Sequence, residues 1–486
     1  MTVSAADLLR DVPTQLLLDG GWRAGSDGGV FDVTNPATGE SLAVVASATV
    51  DDAEAAVAAA ARAQAGWAAT APRERGEILR GAFEDIVARA EEFALLMTLE
   101  MGKPLADSRA EVSYGAEFFR WFSEEAVRVH GRYAFSPDGS TRLLTLKQPV
   151  GPTLMITPWN FPLAMGTRKI GPAIAAGCTM IVKPASHTPL TMLALGKLLQ
   201  DRGLPPGVLN ILPSRDTGAI TQRMLGDARL RKVTFTGSTA VGRTLVKQSA
   251  HRLLRVSMEL GGNAPFIVFS DADVDAAVAG AMVAKMRNMG EACTAANRIL
   301  VHEYVADEFT AKLAAAMGAL TVGDGTAEGV QVGPLVDTAV REKIEELVGD
   351  ALTRGARCLT GGMRLDRVGA FYEPTVLAGV PADARIMSEE VFGPVAPVVT
   401  FTDDEEAVRI ANDTEYGLAS YVFTRDLSRA LRVVEALDYG MVGINQGVIS
   451  NPAAPFGGVK ASGFGREGGV EGIEEYLEIK YVGIRP

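Results

Sequence analysis

Cys293 lies in the stretch Met286 to Arg298, MRNMGEACTAANR, with Gly290, Ala292, Thr294 and Ala295 around it. Small neighbours leave a sulfur open to a reaction partner, whereas a core cysteine keeps large apolar company. A free thiol has a pKa of about 8.5, so at pH 7 only about 3% is thiolate, and a nucleophilic cysteine needs surroundings that help it. Other short stretches hold residues of the right kind. Met258-Glu259-Leu260-Gly261-Gly262-Asn263 sets a carboxylate beside two glycines. If Glu259 faces Cys293 it can activate water against a thioester; taken alone, it is more readily a solvated turn residue. Trp159-Asn160-Phe161-Pro162 offers an amide that can hold an oxyanion or simply cap a helix. Phe235-Thr-Gly-Ser-Thr-Ala-Val-Gly242 ends a strand and opens a helix. There Gly237 permits close backbone approach and the helix amides suit a pyrophosphate. It is neither G-x-G-x-x-G nor a P-loop, and a plain strand–helix turn accounts for it equally well. Lys183 and Ser186, at the end of a neighbouring strand, add donors where a nucleotide ribose could lie.

These stretches need elements to hold them. Short apolar strands are expected at 153–156, 178–182, 208–212, 232–236 and 254–258, with helices between, which implies βαβ units and a parallel doubly wound sheet. Thr188-Pro189 reads as a cap and first-turn proline of one such helix, closed by Gly203. The loops at Pro158, Lys183 and Gly237 fall at carboxyl ends of strands, where such sheets bind ligands. A second alternating region starts at Ala264–Phe269, continues through a helix near 273–287 and a strand at 299–302, and runs to about Ile444. Before these come strand-like pieces in 16–45, an alanine-rich helix over 51–67 capped by Asp51 or Asp52, and helical patterns at 73–90, 91–101 and 104–130. The segment 131–149 reads as a hairpin, either an arm that pairs with another subunit or a surface hairpin; 445–470 is irregular and glycine-rich, and 476–484 reads as a strand.

The chain has 486 residues, 47% hydrophobic and 22% charged, with a formal net charge of -12. That balance argues against nucleic acid as a main partner, and no run of about 18 uncharged apolar residues or N-terminal signal pattern suggests a membrane or export. Cys178, Cys293 and Cys358 are too few and too far apart for a disulfide framework and fit a reducing cytoplasm. His130, His187, His251 and His302 lack metal-ligand spacing, so no metal is expected.

Pro158-Trp-Asn-Phe-Pro162, Lys183-Pro-Ala185, Phe235-Thr-Gly-Ser238, Glu259-Leu-Gly-Gly262, Gly290-x-x-Cys293 and Glu390-Val-Phe-Gly-Pro394 occur together and in order. The set resembles the NAD(P)-dependent aldehyde dehydrogenase superfamily across essentially the whole chain. The resemblance implies an α/β fold with two doubly wound parallel-sheet domains and a β oligomerisation arm. The cofactor domain would comprise 1–130 and 150–258, the catalytic domain 259–452, and the arm 131–149 with 453–486. It also implies that Cys293 attacks the aldehyde, that Asn160 and the Cys293 N–H hold the oxyanion, and that Glu259-activated water hydrolyses the thioester left after hydride transfer. Cofactor contacts would come from Thr157, Pro158, Trp159, Asn160, Lys183, Pro184, Ala185, Ser186, Gly237, Ser238, Leu260, Glu390 and Phe392.

Within the superfamily the chain is most similar to succinate-semialdehyde dehydrogenases, through the run Thr157 to Lys169, Lys285-Met-Arg287-Asn and Gly447-Val-Ile-Ser450. That implies a substrate carboxylate held by Arg168, Arg287 and Ser450. With a helix starting near Pro162, Phe161, Met165 and Arg168 share a face, and arginine pairs with a carboxylate through two parallel hydrogen bonds. Ser186 stands where NAD-preferring relatives often carry glutamate, so the cofactor is expected to be NADP or NAD with NADP favoured. A homodimer or homotetramer is implied. Departures include Glu291 where relatives usually have Gln, either raising the Cys293 pKa or facing solvent. Ala295 precludes a paired-cysteine switch in this loop, and Asn451-Pro452 leaves chain length open. Glutarate semialdehyde is the alternative substrate; a non-catalytic nucleotide-binding protein and a thiol esterase are readings from other classes.

Overall fold

Residues 4–485 are described by a computed structural model. The runs Thr153–Ile156, Met180–Lys183, Leu209–Ile211, Lys232–Thr236 and Arg255–Glu259 form five parallel strands. All but the start of the last are buried on both faces, as strands covered by helices on either side must be. In space they run 255–259, 232–236, 153–156, 180–183, 209–211. The chain thus leaves Thr153–Ile156 toward one edge, then returns to its other side at Lys232–Thr236. Between those two strands the winding reverses, which opens a crevice at their carboxyl ends. Leu16–Leu18 with Gly21–Arg23 extends one edge, and Gly463–Phe464 pairs antiparallel with Arg255–Glu259 at the other.

The second sheet has seven strands, ordered 357–360, 375–378, 395–401, 296–302, 264–268, 419–423 and 441–444, parallel except for the first. A third sheet joins the hairpin Arg132–Phe135 and Arg142–Pro149 to Leu477–Ile484. Of the stretch 453–486, only Leu477–Ile484 joins this hairpin, since Gly463–Phe464 belongs to the first sheet.

Four helices lie between the strand Ser41–Ala46 and the hairpin: Val50–Ala69, Pro72–Ala88, Ala90–Met101 and Leu105–Glu125. The first is capped by Thr49 rather than by Asp51 or Asp52. The Thr49 hydroxyl accepts from Asp52 N, and the Asp52 carboxylate accepts from Thr49 N, a reciprocal box that satisfies two end amides. Leu105–Glu125 packs on Ala164–Ala176 with little separation. A Cβ on Gly115 would meet Ala164 Cα at 3.2 Å, and one on Gly171 would meet Phe122 Cδ2 at 3.1 Å. Thr188 does not cap Pro189–Asp201: its hydroxyl turns to Trp159 O at 3.4 Å. The buried carboxylate of Glu100 takes the cap's place, accepting from Leu190 N at 2.8 Å and Thr191 N at 2.9 Å. Among the described residues no helix is long and apolar enough to cross a membrane, and no cluster of His, Cys, Asp or Glu could hold a metal ion.

Candidate active site

The loops singled out by sequence converge on the crevice where the first sheet's winding reverses. Thr157–Asn160 follow the strand ending at Ile156; Gly237 and Ser238 lie between Lys232–Thr236 and the helix Thr239–Ser249; Glu259 ends its own strand. A cavity of about 260 Å³ opens there, lined by Pro158, Trp159, Asn160, Gly237, Ser238, Glu259, Leu260, Cys293, Glu390 and Phe392. Thr157, Lys183, Pro184, Ala185 and Ser186 stand outside its lining; Thr157 N donates to Lys183 O at 3.1 Å, tying the two loops together. Burial without a partner pushes the Lys183 ammonium down to about 8. Glu390 reaches in from the second sheet's side, its Oε1 accepting from Gly262 N at 2.9 Å, and burial lifts its carboxyl to about 7. Ser238 caps Thr239–Ser249, whose first turn carries no acidic residue, so this wall presents helix-end amides. Amides, an ammonium beyond them, an aromatic pair (Trp159 and Phe392 edge to face, centroids 5.4 Å apart) and a carboxylate make a donor set suited to a dinucleotide.

Cys293 comes from the side of the second sheet, three residues before its strand Ala296–His302. The helix Val274–Met286 ends and the chain turns sharply: Asn288 (φ 54°), Met289 (φ 57°) and Gly290 (φ 80°) all adopt left-handed backbone. Glycine is needed at 290, since a Cβ there would stand 2.1 Å from Gly393 O, and at 262, where it would meet Cys293 O at 2.3 Å. The cysteine is half-buried, and burial pushes its thiol up to about 12, with Arg168 and Arg287 pulling it down and Glu259 and Glu390 pushing it further up. It is a thiol at neutral pH.

Glu291 does not face solvent. It is fully buried, with Oε1 accepting from Val336 N at 3.2 Å and Oε2 without a partner. Desolvation holds its carboxyl well above the usual range, which favours the neutral form, and the charges acting on Cys293 are those of other residues.

Asn160 shares the cavity with Cys293. Its Oδ1 accepts from Phe161 N at 3.1 Å, and one Nδ2 hydrogen goes to Glu291 O at 3.0 Å, leaving the second N–H uncommitted. The following helix starts at Ala164 rather than near Pro162. Phe161, Met165 and Arg168 nonetheless line one cleft together with Tyr114, Arg287, Cys293, Ser450 and Phe456. This cleft is narrow, about 10 Å³, room for roughly one water. Arg287 Nη1 donates to Ser450 Oγ at 3.4 Å and its guanidinium lies over Phe161 and Tyr114, 5.1 and 5.4 Å from the ring centres.

Arg168 is less free. It is 1% exposed, stacked 4.0 Å over the Phe456 ring, and ion-paired with Glu467, which Lys169 also contacts. Glu259 borders this group: its Oε2 is buried without a partner, and burial, followed by the charge of Glu467, lifts its carboxyl well above the ordinary range. Glu467 is held low by Arg168 and Lys169 against its own burial. The chain packs tightly against this carboxyl, for a Cβ on Gly457 would stand 2.9 Å from Glu259 Oε1. Glu467, Lys169 and Tyr114 escaped the sequence reading. Glu467 lies in the irregular glycine-rich tail, where no periodicity marks a buried face, and it meets Lys169 across 298 positions.

Residues 22–482 match the aldehyde dehydrogenase family. A succinate-semialdehyde dehydrogenase of Paenarthrobacter nicotinovorans is 60% identical over 443 residues, covering 91% of this chain and 98% of its own. A glutarate-semialdehyde dehydrogenase of Pseudomonas putida is 48% identical over 482 residues, 99% of each chain. The crystal structure of an NADP-dependent enzyme from E. coli superimposes with a TM-score of 0.97 at 49% identity, covering 99% of both chains. The chain belongs to the aldehyde dehydrogenase family.

Proposed function

From that membership we propose that the chain oxidises a short aldehyde bearing a distal carboxylate to the corresponding acid, with NADP or NAD as acceptor. Succinate semialdehyde is the foremost substrate and glutarate semialdehyde the second, consistent with what the two relatives are named for. The observation that carries this reading is that Cys293 lines both the narrow cleft, with Arg168, Arg287 and Ser450, and the 260 Å³ cavity, with Glu259, Asn160 and Glu390. A thiol between a cleft lined by two arginines and a cavity walled by helix-end amides suits oxidation of an aldehyde whose other end is anionic. The nucleotide cavity argues against the esterase reading, which needs none, and the thiol and carboxyl that line it, Cys293 and Glu259, argue against the non-catalytic one.

The nucleotide would be held by Thr157–Asn160, Lys183–Ser186, Gly237, Ser238, Leu260, Glu390 and Phe392, and when bound its nicotinamide supplies the hydride acceptor. Lys183 and Ser186 would offer a cation and a hydroxyl, where NAD-preferring relatives often carry glutamate, to a 2′-phosphate, which favours NADP. The chain's own work is as follows. Cys293 gives its thiol proton to solvent in the cavity that it lines, and its Sγ adds to the aldehyde carbon. The free Asn160 N–H and the Cys293 main-chain N–H stabilise the resulting oxyanion. Loss of hydride from that carbon restores the carbonyl as a thioester on Cys293. Glu259, once ionised, takes a proton from water as its oxygen attacks, and the Cys293 thiolate departs from the acid. A carboxyl raised by burial is a stronger base when it does ionise, and a water-poor pocket is where such a base is effective.

The arm sheet exposes Tyr133, Phe135, Ile479 and Tyr481, which supports a homodimer or homotetramer assembled through it. Three unpaired cysteines support a cytoplasmic setting. A panel of succinate, glutarate and uncharged aldehydes with each cofactor tests the proposal; preference for an uncharged aldehyde, or no cofactor reduction, would defeat it.

A further inference from the structure

Lys103 and Glu111 form an ion pair that is sealed from solvent, Nζ to Oε2 2.5 Å, and neither lines the catalytic cavity or the cleft. Two buried charges are a poor source of net stability, because desolvating them offsets most of their attraction. Their contacts point to geometry instead. Lys103 Nζ donates to Asn160 O at 2.7 Å, and Asn288 Nδ2 donates to the same oxygen at 3.1 Å. Asn288 Nδ2 also reaches Glu291 O at 2.8 Å, the oxygen that holds the Asn160 amide. Asn288 is kept in left-handed backbone, a conformation that persists only where the surroundings over-determine it. Glu111 turns its other oxygen to Leu163 N at 2.9 Å and Ala164 N at 3.0 Å, the first amides of the helix that carries Arg168. One buried pair thereby ties together the Asn160 loop, the Arg168 helix and the turn before Cys293.

We propose that Lys103 is a positioning residue for the oxyanion site, an inference that rests on the function read above. By fixing the Asn160 carbonyl it sets the direction of the Asn160 amide, so that the N–H not spent on Glu291 points at the oxygen growing negative on the Cys293 adduct. Without the ammonium, that peptide keeps only Asn288, and the amide loses its aim while the nucleotide cavity is untouched.

The test is a double-mutant cycle in the full-length chain, using Lys103→Met, Asn160→Ala and their combination, with succinate semialdehyde and with butanal at saturating NADP. Lys103→Met should lower kcat and the single-turnover rate of cofactor reduction by about 30- to 100-fold for both aldehydes, with the KM for NADP within about twofold of wild type. In the Asn160→Ala background the same change should cost less than about threefold. Equal costs in both backgrounds, or a rise in the KM for NADP in place of the kcat loss, would overturn the assignment. If Lys103→Met does not fold, Lys103→Met/Glu111→Gln, which leaves no unpaired buried charge, is measured in its place; failure of both to fold would make the pair structural and overturn it too. A wild-type chain inactive with every aldehyde defeats the functional reading itself, whereas an active wild type matched by Lys103→Met defeats this assignment alone.

Discussion

Arg287 Nη1 and Ser450 Oγ meet at 3.4 Å across the cleft that ends at Cys293, one from the end of a helix and the other from an irregular loop. On the proposed function a substrate carboxylate is held beside this contact: Arg287 keeps further N–H donors for it, and a charge-assisted hydrogen bond is stronger than the one to Ser450.

Arg287→Ala should therefore raise the KM for succinate semialdehyde by about 10- to 100-fold, the range expected for losing a hydrogen bond to a charged group. The KM for butanal should move less than about threefold. Steady-state kinetics with both aldehydes checks this, and equal shifts would remove the anchor role. Arg168→Ala is a less clean probe, because it also strips Glu467 of a buried partner.

Glu259→Gln should slow turnover by about 10²- to 10³-fold, within the range for a lost general base. Reduction of one equivalent of cofactor in the first turnover should remain fast, since thioester formation precedes the step Glu259 serves. Stopped-flow absorbance distinguishes the two phases; a first turnover as slow as the steady state would assign Glu259 elsewhere.

Glu291→Gln should stabilise the chain at pH 8. The native carboxyl is neutral because burial raises it, whereas the unfolded one ionises near pH 4.3, so between that pH and the native value the folded state binds more protons and loses stability as pH rises. Glutamine keeps the acceptor for Val336 N and abolishes the penalty. A gain in Tm of roughly 1–3 °C at pH 8, shrinking toward pH 4.5, is expected in thermal scans. A gain independent of pH would contradict a neutral buried acid.

Ser186→Glu should cut kcat/KM for NADP by at least about tenfold while changing NAD less, through repulsion of a 2′-phosphate. Comparable losses for both cofactors would mean that position 186 does not meet the ribose.

Thr153–Ile156 and Lys232–Thr236 were readable because strands covered on both sides are continuous apolar runs. The loops after them were readable because glycine and proline punctuate them. Asn160 stands in such a loop, Glu259 ends a strand just before Gly261 and Gly262, and Cys293 follows the turn at Gly290; the structure brings all three to one cavity. What escaped depends on partners distant in sequence. Thr188 has the right type to cap its helix, yet Glu100 does so from 90 positions away, and nothing local to Glu100 announces it. Glu467 and Lys103 are likewise charged residues in polar-looking surroundings whose burial comes only from tertiary packing. Glu291 could not be resolved from its neighbours because its acceptor role is toward Val336, 45 residues on.

The placement of one sulfur on two cavities also divides the protein's freedom to diverge. Arg168 is entangled with Glu467, Lys169 and Glu259, so a change there disturbs the hydrolytic carboxyl. Arg287 and Ser450 share no side-chain hydrogen bond or ion pair with that cluster. Under the proposed roles, positions 287 and 450 can change without breaking the Glu467 network, at the cost of the Arg287 charge that pulls the Cys293 thiol down, so one half of the clamp is more open to divergence than the other.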